Sequence, residues 1–325
     1  MAILINENTK YLIQGITGKE GLRAVTGMVA LGAQVIAGVT PGKGGQTVAG
    51  LIDKNGVEVS PIPVYESVAQ ALENHPEINA TSIYAPPRFV LNATKEAVNA
   101  GISLVHIIAE NVPTRDTVEI LELVGEKSKE FGKKITVLGP SSVGAMSPGK
   151  SVMGSFGGGR DELLLAPFTP EVKMGAEKGG VVVLTKSGGM SLTVANMLSQ
   201  AGIALSSVVG LGGDKISCTT YADLLDVIAD DTETWAVVLI GEIGGSYEED
   251  FAQKIAVTKF SKPVVAFISG KFAENLPTGV AFGHAGAIVS KQFGTRAGKV
   301  AALEKVGALI ADNPEDIVEL LAKVE

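Results

Sequence analysis

The sequence predicts an α/β protein with two doubly wound, mainly parallel sheets that follow one another along the chain. Short apolar runs alternate with segments of helical periodicity, which is typical of parallel sheets covered by helices. The alternation stops at residues 141–178, which are rich in Gly, Pro and Ser, and then restarts. The length of 325 residues suits two domains of about 150 residues each. We therefore expect domains at residues 1–140 and 179–325, with 141–178 as a connector.

The first half contains five apolar runs of strand length. The predicted strands, in order, are residues 11–16, 34–39, 80–85, 104–109 and 135–139. The segments between them have the apolar periodicity of helices. The predicted helices are residues 21–32, 66–74, 90–101 and 117–132.

The second half restarts the same alternation, although no sequence repeat of the first half is detectable. Residues 180–191 predict a strand, a glycine turn and the start of a helix. Further strands are predicted at residues 206–213, 235–242 and 263–270, with an edge strand at 308–311. The predicted helices are residues 191–202, 220–230, 246–260 and 294–307.

The composition excludes several classes of protein. A formal net charge of −8 and the lack of Lys/Arg runs argue against nucleic acid as a partner. A single cysteine excludes an intrachain disulfide and a cysteine-built metal site, and we predict no metal ligands. The N-terminus lacks a secretory signal pattern, and no apolar window reaches about 18 residues. We therefore expect a cytoplasmic protein without a membrane partner.

A glycine-rich turn at Gly15–Gly21 follows the first predicted strand. Glycines at such a turn let the backbone approach a phosphate closely. The pattern is G-x-x-G-x-x-G rather than the dinucleotide pattern G-x-G-x-x-G. The second strand runs into Lys43 instead of an acidic residue. This cation suits a ligand with an extra phosphate, such as coenzyme A or NADP, or it is a solvated loop charge.

Two more glycine turns follow strands of the second half. The turn Ser187–Gly188–Gly189 opens a helix, whose first N–H groups and positive dipole end can bind an anion. The alternative is a plain turn with Ser191 as the helix N-cap. The local sequence does not settle the role of the turn Gly210–Asp214.

His284 lies in an Ala/Gly-rich stretch without bulky neighbours, at the start of a predicted helix. An accessible neutral imidazole can act as a nucleophile or a proton carrier, whereas a hydrogen-bonded core histidine is the plainer alternative. Glu242 ends an apolar strand, where an unpaired carboxylate would be costly. It could pair with an imidazole and fix its tautomer, or cap the next helix.

Nine motifs in order resemble the α-type subunit of the NDP-forming acid–CoA ligases, the succinyl-CoA synthetase superfamily. They are QGITGKEG, VTPGKGG, SIYAPP, IIAENVP, LGPSSVG, KSGGMS, LGGD, IGEIGG and FGHAGAI, and they span essentially the whole chain. The resemblance implies an N-terminal Rossmann-like CoA-binding domain followed by a flavodoxin-like doubly wound ligase domain. The ligase domain would carry a phosphohistidine.

The resemblance also implies roles for individual residues. His284 would be phosphorylated, Glu242 would orient it, and Ser187, Gly188 and Gly189 would hold the phosphoryl group. The residues implied to bind coenzyme A are Thr17, Gly18, Lys19, Glu20, Lys43, Tyr84, Ala85, Pro86, Ile108, Ala109 and Glu110. ATP and Mg²⁺ would be bound mainly by a large, β-type subunit with an ATP-grasp domain, so a hetero-oligomer is expected.

Two departures from the succinate pattern bear on the acid that is activated. Leu192 stands where the succinate enzymes have a tyrosine, and residues 139–144 read GPSSVG instead of GPNCPG. Both replacements resemble the citrate-activating branch, so a citryl-CoA synthetase small subunit is expected, with a succinyl-CoA synthetase α subunit as the alternative. A non-catalytic CoA-binding switch and an NAD(P)-dependent oxidoreductase are the remaining hypotheses.

Overall fold

The computed structural model describes residues 3–156, 179–271, 284 and 294–325. These residues form two seven-stranded sheets with helices on their faces, which confirms the predicted α/β fold class. None of the helices within these ranges is long and apolar enough to cross a membrane.

The first sheet has the strand order β3-β4-β2-β1-β5-β6-β7. Its strands are β1 (Lys10–Gln14), β2 (Gln34–Val39), β3 (Thr47–Val48), β4 (Ile62–Tyr65), β5 (Ala80–Ile83), β6 (Leu104–Ile107) and β7 (Thr136–Leu138). Only the pairing of β3 with β4 is antiparallel. The helices are α1 (Lys19–Ala30), α2 (Val68–Asn74), α3 (Pro87–Asn99) and α4 (Thr114–Phe131). All five predicted strands are present, and β3 and β4 extend the edge beyond them.

The second sheet has the strand order β14-β13-β12-β10-β11-β8-β9. Its strands are β8 (Gly144–Ser147), β9 (Ser151–Gly154), β10 (Gly180–Thr185), β11 (Leu205–Gly210), β12 (Thr234–Gly241), β13 (Val264–Ile268) and β14 (Leu309–Ala311). The helices are α5 (Gly188–Gln200), α6 (Leu225–Asp230), α7 (Tyr247–Thr258), α8 (Arg296–Glu304) and α9 (Asp316–Ala322), with a 3₁₀ turn at Ala222–Leu224.

The segment 141–178 is not only a connector. β8 and β9 form an antiparallel hairpin that adds to the edge of the second sheet through β11. Met146 and Met153 of this hairpin are buried, so the packing of its apolar side chains outweighs the weak strand propensity of its Gly and Ser residues. Residues 157–178, the rest of the predicted connector, lie outside the described residues.

The order of the strands determines where the loops that carry the motifs lie in each sheet. β1 lies between β2 and β5, and β10 lies between β11 and β12, so the chain reverses its direction of winding beside β1 and beside β10. In such sheets, ligands bind at the carboxyl ends of the strands where the winding reverses. The last paired residue of β10, Thr185, lies opposite Ile240 of β12, so Ser187 and Glu242 follow neighbouring strand ends.

Candidate functional site

His284 and Glu242 form a direct hydrogen bond at the edge of the second sheet. The distance from His284 Nδ1 to Glu242 Oε2 is 2.5 Å, and the imidazole keeps 28% of its surface exposed. The hydrogen bond to the Glu242 carboxylate raises the pKa of His284. Burial opposes ionisation of Glu242, but the bond from His284 and the charge of Lys186 outweigh it and lower the pKa of Glu242. An ionised carboxylate only accepts hydrogen bonds, so Nδ1 carries the proton.

Nε2 of His284 is therefore the nitrogen that keeps a lone pair when the ring is neutral. Among the described residues, no side chain or backbone group forms a hydrogen bond with it. The competing prediction that Glu242 caps the next helix is wrong, because α7 has Ser246 as its N-cap. The predicted helix start at His284 lies outside the described residues beyond His284 itself.

Lys186 is a member of this site that the sequence reasoning missed. Its Nζ lies 3.1 Å from Glu242 Oε1, and its side chain is only 4% exposed. The ammonium also lies 4.7 Å from the centre of the Tyr247 ring, an arrangement that stabilises a cation. A lysine at the end of a buried strand, immediately before a glycine turn, was the signal that could have identified it.

The turn after β10 presents the start of a helix at the same edge. Ser187, not Ser191, is the N-cap of α5, and its side chain accepts a hydrogen bond from Met190 N at 3.4 Å. A Cβ on Gly188 would lie 2.3 Å from Val143 Cγ1, so this position has no room for a side chain. Gly189 faces open space. The start of α5 therefore lies open at this edge, and its role as an anion site remains a prediction.

The turn Gly210–Asp214, whose role the sequence left open, contacts His284 through Gly213. A Cβ on Gly213 would lie 2.7 Å from Cδ2 and 2.9 Å from Cγ of His284, so the imidazole lies directly against this glycine. The turn after β11 is thus a wall of the histidine site.

We expect the substitution Gly213→Ala to push the imidazole away from Glu242. Loss of the strong hydrogen bond should lower the pKa of His284 toward its ordinary value of about 6.5. An NMR titration of the ring protons measures this directly, because the chain has only three histidines. Gly125→Ala in α4, where nothing lies within 4 Å, is the matched control. An unchanged pKa in Gly213→Ala would contradict the contact.

Asp214 connects this turn to the first sheet. Its carboxylate accepts hydrogen bonds from Asn111 N at 3.1 Å and Val112 N at 3.2 Å, and the side chain is buried. These two residues directly follow the predicted CoA-binding residues Ile108, Ala109 and Glu110. Glu110 also contributes slightly to the raised pKa of His284. The predicted CoA-binding edge and the histidine site therefore meet at this point.

The other predicted CoA-binding residues lie at the carboxyl ends of three neighbouring strands, β2, β1 and β5. Gly18, Lys19 and Glu20 are exposed at the start of α1, and Thr17 is half-buried. Gly15 has a φ of +82°, and a Cβ there would lie 2.3 Å from the Tyr84 carbonyl oxygen. The close approach of these two loops therefore requires glycine at position 15.

Lys43 is exposed in a loop that Glu66 holds. Both oxygens of the Glu66 carboxylate accept backbone hydrogen bonds at 2.7 Å, one from Gly42 N and one from Gly44 N. The bond from Gly42 lowers the pKa of Glu66. The loop also approaches the first glycine turn, since Thr17 N lies 3.4 Å from Thr40 Oγ1. The loop that carries Lys43 therefore lies beside that turn.

Tyr84 differs from the other predicted CoA-binding residues. Its ring is buried, and burial raises the pKa of Tyr84 to about 12. The ring packs edge-on against His106, which is itself buried with a pKa lowered by burial to about 4. The side chain of Tyr84 thus belongs to the core, and only its backbone, with Ala85 and Pro86, lies at the strand end.

Comparison with known proteins identifies a family for each part of the chain. Residues 6–111 match the family model of a CoA binding domain, and residues 178–324 match that of the succinyl-CoA ligase like flavodoxin domain. The predicted order of the two domain types is confirmed.

Similar proteins extend over the whole chain. The ADP-forming sulfoacetate-CoA ligase subunit SqwL of Acholeplasma sp is 38% identical, covering 100% of this chain and 98% of that protein. The ADP-forming succinate–CoA ligase subunit alpha 2 of Archaeoglobus fulgidus is also 38% identical, with 100% of both chains covered. The structure of ATP citrate lyase from Methanothrix soehngenii, in complex with citrate and coenzyme A, superposes with a TM-score of 0.84 at 25% identity. That match covers 99% of this chain and 50% of the lyase chain.

These similarities establish that the chain is a subunit of a CoA ligase. It belongs to the succinyl-CoA synthetase superfamily of NDP-forming acid–CoA ligases, as an α-type subunit.

Proposed function

We propose that the chain is the subunit of an ADP-forming acid–CoA ligase that carries the phosphoryl group on His284. The observation that carries this proposal is the hydrogen bond from His284 Nδ1 to Glu242, which leaves Nε2 as the reactive nitrogen. The start of α5 at Ser187–Gly189 supplies N–H groups at the end of the neighbouring strand. A helix N-terminus there would stabilise the negative charge of the transferred group.

In this cycle, Nε2 of His284 attacks the terminal phosphorus of ATP, the bond to ADP breaks and ADP leaves. A carboxylate oxygen of the acid then attacks the same phosphorus, and the P–N bond breaks to give an acyl phosphate and the free ring. The sulfur of coenzyme A, having lost its proton, attacks the acyl carbon, and phosphate leaves. The covalent intermediate divides one difficult transfer into two easier ones.

Coenzyme A would lie along the edge formed by the loops after β1, β2, β5 and β6. Lys19 and Lys43 would supply cations for its phosphates, beside the turn that contains Thr17 and Gly18; Lys19 and Lys43 are both exposed. The residues Glu20, Tyr84, Ala85, Pro86, Ile108, Ala109 and Glu110 would complete the site. ATP and Mg²⁺ would be bound by an ATP-grasp-containing β-type subunit in a hetero-oligomer.

We propose an acid with a carboxylate and a further anionic group, with citrate as the first candidate. Sulfoacetate and succinate, named in two relatives, and citrate, bound in the similar lyase structure, share this chemistry. Leu192 and the segment 139–144 favour citrate over succinate. Val143 of this segment packs against Gly188, so the segment shapes the wall of the anion site.

The phosphohistidine is tested by incubating the complex of this chain and its β-type subunit with γ-labelled ATP. We expect an acid-labile, base-stable phosphate on His284. ATP labelled at the α-phosphate is the matched control and should leave no label. An unlabelled His284 in a complex that still makes acyl-CoA would rule out the proposed mechanism.

The acid is tested by adding citrate, succinate or sulfoacetate, each with coenzyme A, to the isolated labelled complex. The preferred acid should discharge the label fastest and yield the corresponding acyl-CoA. If succinate or sulfoacetate is faster than citrate, the choice of citrate is wrong, while the phosphohistidine proposal stands.

A further inference from the structure

Lys299 and Glu248 form an ion pair in the interior that the proposed reaction does not use. Their side chains are 0% and 1% exposed. Burying two charges is costly unless each makes further polar contacts. Both side chains make such contacts, and two of them lie on the loop of residues 241–246, which carries Glu242.

Glu248 reaches this loop through the backbone of Glu242 itself. Its Oε1 accepts a hydrogen bond from Glu242 N at 3.1 Å. A Cβ on Gly241 would lie 2.7 Å from the same oxygen, so the carboxylate lies directly beneath the strand end. The backbone position of Glu242 is therefore set by a buried side chain.

Lys299 holds the other end of the loop. Its Nζ donates to the Gly245 carbonyl at 3.1 Å and contacts Glu249 Oε2 at 3.1 Å, besides its ion pair with Glu248. Lys299 belongs to α8, which follows the His284 segment in the chain. A second bond, from Gly244 N to the Gly294 carbonyl at 2.7 Å, joins the same loop to the residues just before α8.

We propose that Glu248 and Lys299 are positioning residues that hold Glu242 where it meets His284. Together with the bond from Gly244 N to the Gly294 carbonyl, this pair joins the loop of Glu242 to the segment that begins at Gly294. An apolar pair of similar volume would avoid the cost of burying two charges, but it would leave Glu242 N without its buried acceptor. The inference rests on the proposed function of His284.

Two double variants separate the hydrogen bond from the charges. Glu248→Met with Lys299→Met removes the charges and the acceptor, whereas Glu248→Gln with Lys299→Met removes the charges but keeps an acceptor oxygen for Glu242 N. A shift of about 1 Å in a reacting group can cost about 100-fold in rate. We expect phosphorylation of His284 to fall by about 30- to 100-fold in the first variant and by about threefold at most in the second.

The second readout is the pKa of His284, titrated by NMR in the full chain. It should fall toward the ordinary value in the Met/Met variant, remain raised in the Gln/Met variant, and remain unaltered by Glu249→Gln. A merely structural pair would change the melting temperature but not this pKa. Because the titration needs no turnover, it tests the positioning role even if His284 were never phosphorylated.

Three results would overturn the inference. One is a Met/Met variant with normal phosphorylation and an unchanged His284 pKa, and another is a Gln/Met variant as impaired as Met/Met. The third result can be obtained even if the Met/Met variant does not fold, because it is measured in the unmodified protein. There, the amide proton of Glu242 is expected to exchange slowly with solvent, since it donates to the buried Glu248 carboxylate. Fast exchange of that proton would mean that Glu248 does not hold it.

Discussion

Replacing His284 by asparagine should abolish phosphate incorporation and lower the rate of acyl-CoA formation by at least about 10⁴-fold, as for loss of a covalent nucleophile. The asparagine amide can occupy the place of Nδ1 and donate to Glu242, so the Lys186–Glu242 ion pair keeps its surroundings. What disappears is the ring nitrogen Nε2. The measurement combines labelling with γ-labelled ATP and steady-state turnover of the complex with its β-type subunit.

The matched control is His75→Asn, because His75 lies far along the chain and pairs with Tyr65 and Glu77. It should retain full labelling and turnover. Binding of coenzyme A to His284→Asn should also persist, since the predicted CoA-binding loops lie on the first sheet. Residual turnover close to that of the unsubstituted complex would mean that phosphate passes through another residue.

Much of the fold could be predicted because its strands are short apolar runs between recognisable turns. β10 and β12 are buried along their whole length, and the apolar runs VVVL and VVLI mark them in the sequence. The hairpin of β8 and β9 escaped prediction for the opposite reason. It lies at a sheet edge, contains Gly and Ser, and is stabilised by pairing with β11, which is remote in the sequence.

Parts of the candidate site could be predicted from the sequence, namely residues whose chemistry is evident from a short stretch of neighbouring residues. His284, Glu242 and the Ser187 turn are of this kind, and their roles remain predictions that the geometry favours. Gly213 needed the structure, because its importance comes from a contact across the sheet edge. Lys186 has a sequence signal in its place after a buried strand, but only the structure shows its partner, Glu242. The same is true of the Glu248–Lys299 pair, whose partners are 51 residues apart.

The substitution Glu242→Gln should lower the rate of His284 phosphorylation by about 10³- to 10⁴-fold, the scale seen when an orienting carboxylate becomes an amide. The carboxylate only accepts, so it fixes the proton on Nδ1 and the lone pair on Nε2. A glutamine amide can donate to Nδ1 instead, which would place the proton on Nε2 and remove the nucleophilic lone pair. Rapid-quench labelling of the complex measures the step.

Lys186 affects the stability of the Glu242→Gln variant, and a substitution of Lys186 provides the control. Glu242→Gln leaves a buried ammonium without its ion-pair partner, which should destabilise the fold. Adding Lys186→Met removes the unpaired charge, so the double variant should recover its melting temperature but not its phosphorylation rate. Recovery of the rate along with stability would show that Glu242 serves the fold and not the histidine.

Glu242 has two effects on the His284 ring: it raises the pKa, and it fixes the tautomer and orientation. The pH dependence of phosphorylation separates them. In the unsubstituted protein the pKa of His284 is raised, and only the neutral ring attacks, so phosphorylation should rise with pH through that raised pKa and then level off. Without the carboxylate, burial and the charge of Lys186 both lower the pKa of His284, so the rise should move to lower pH. Near neutral pH the variant would then hold more neutral imidazole and yet react more slowly. That combination is expected only if Glu242 acts by fixing the tautomer and orientation of the ring. If the carboxylate only raised the pKa of His284, it would keep more of the ring protonated, and removing it would make the reaction faster.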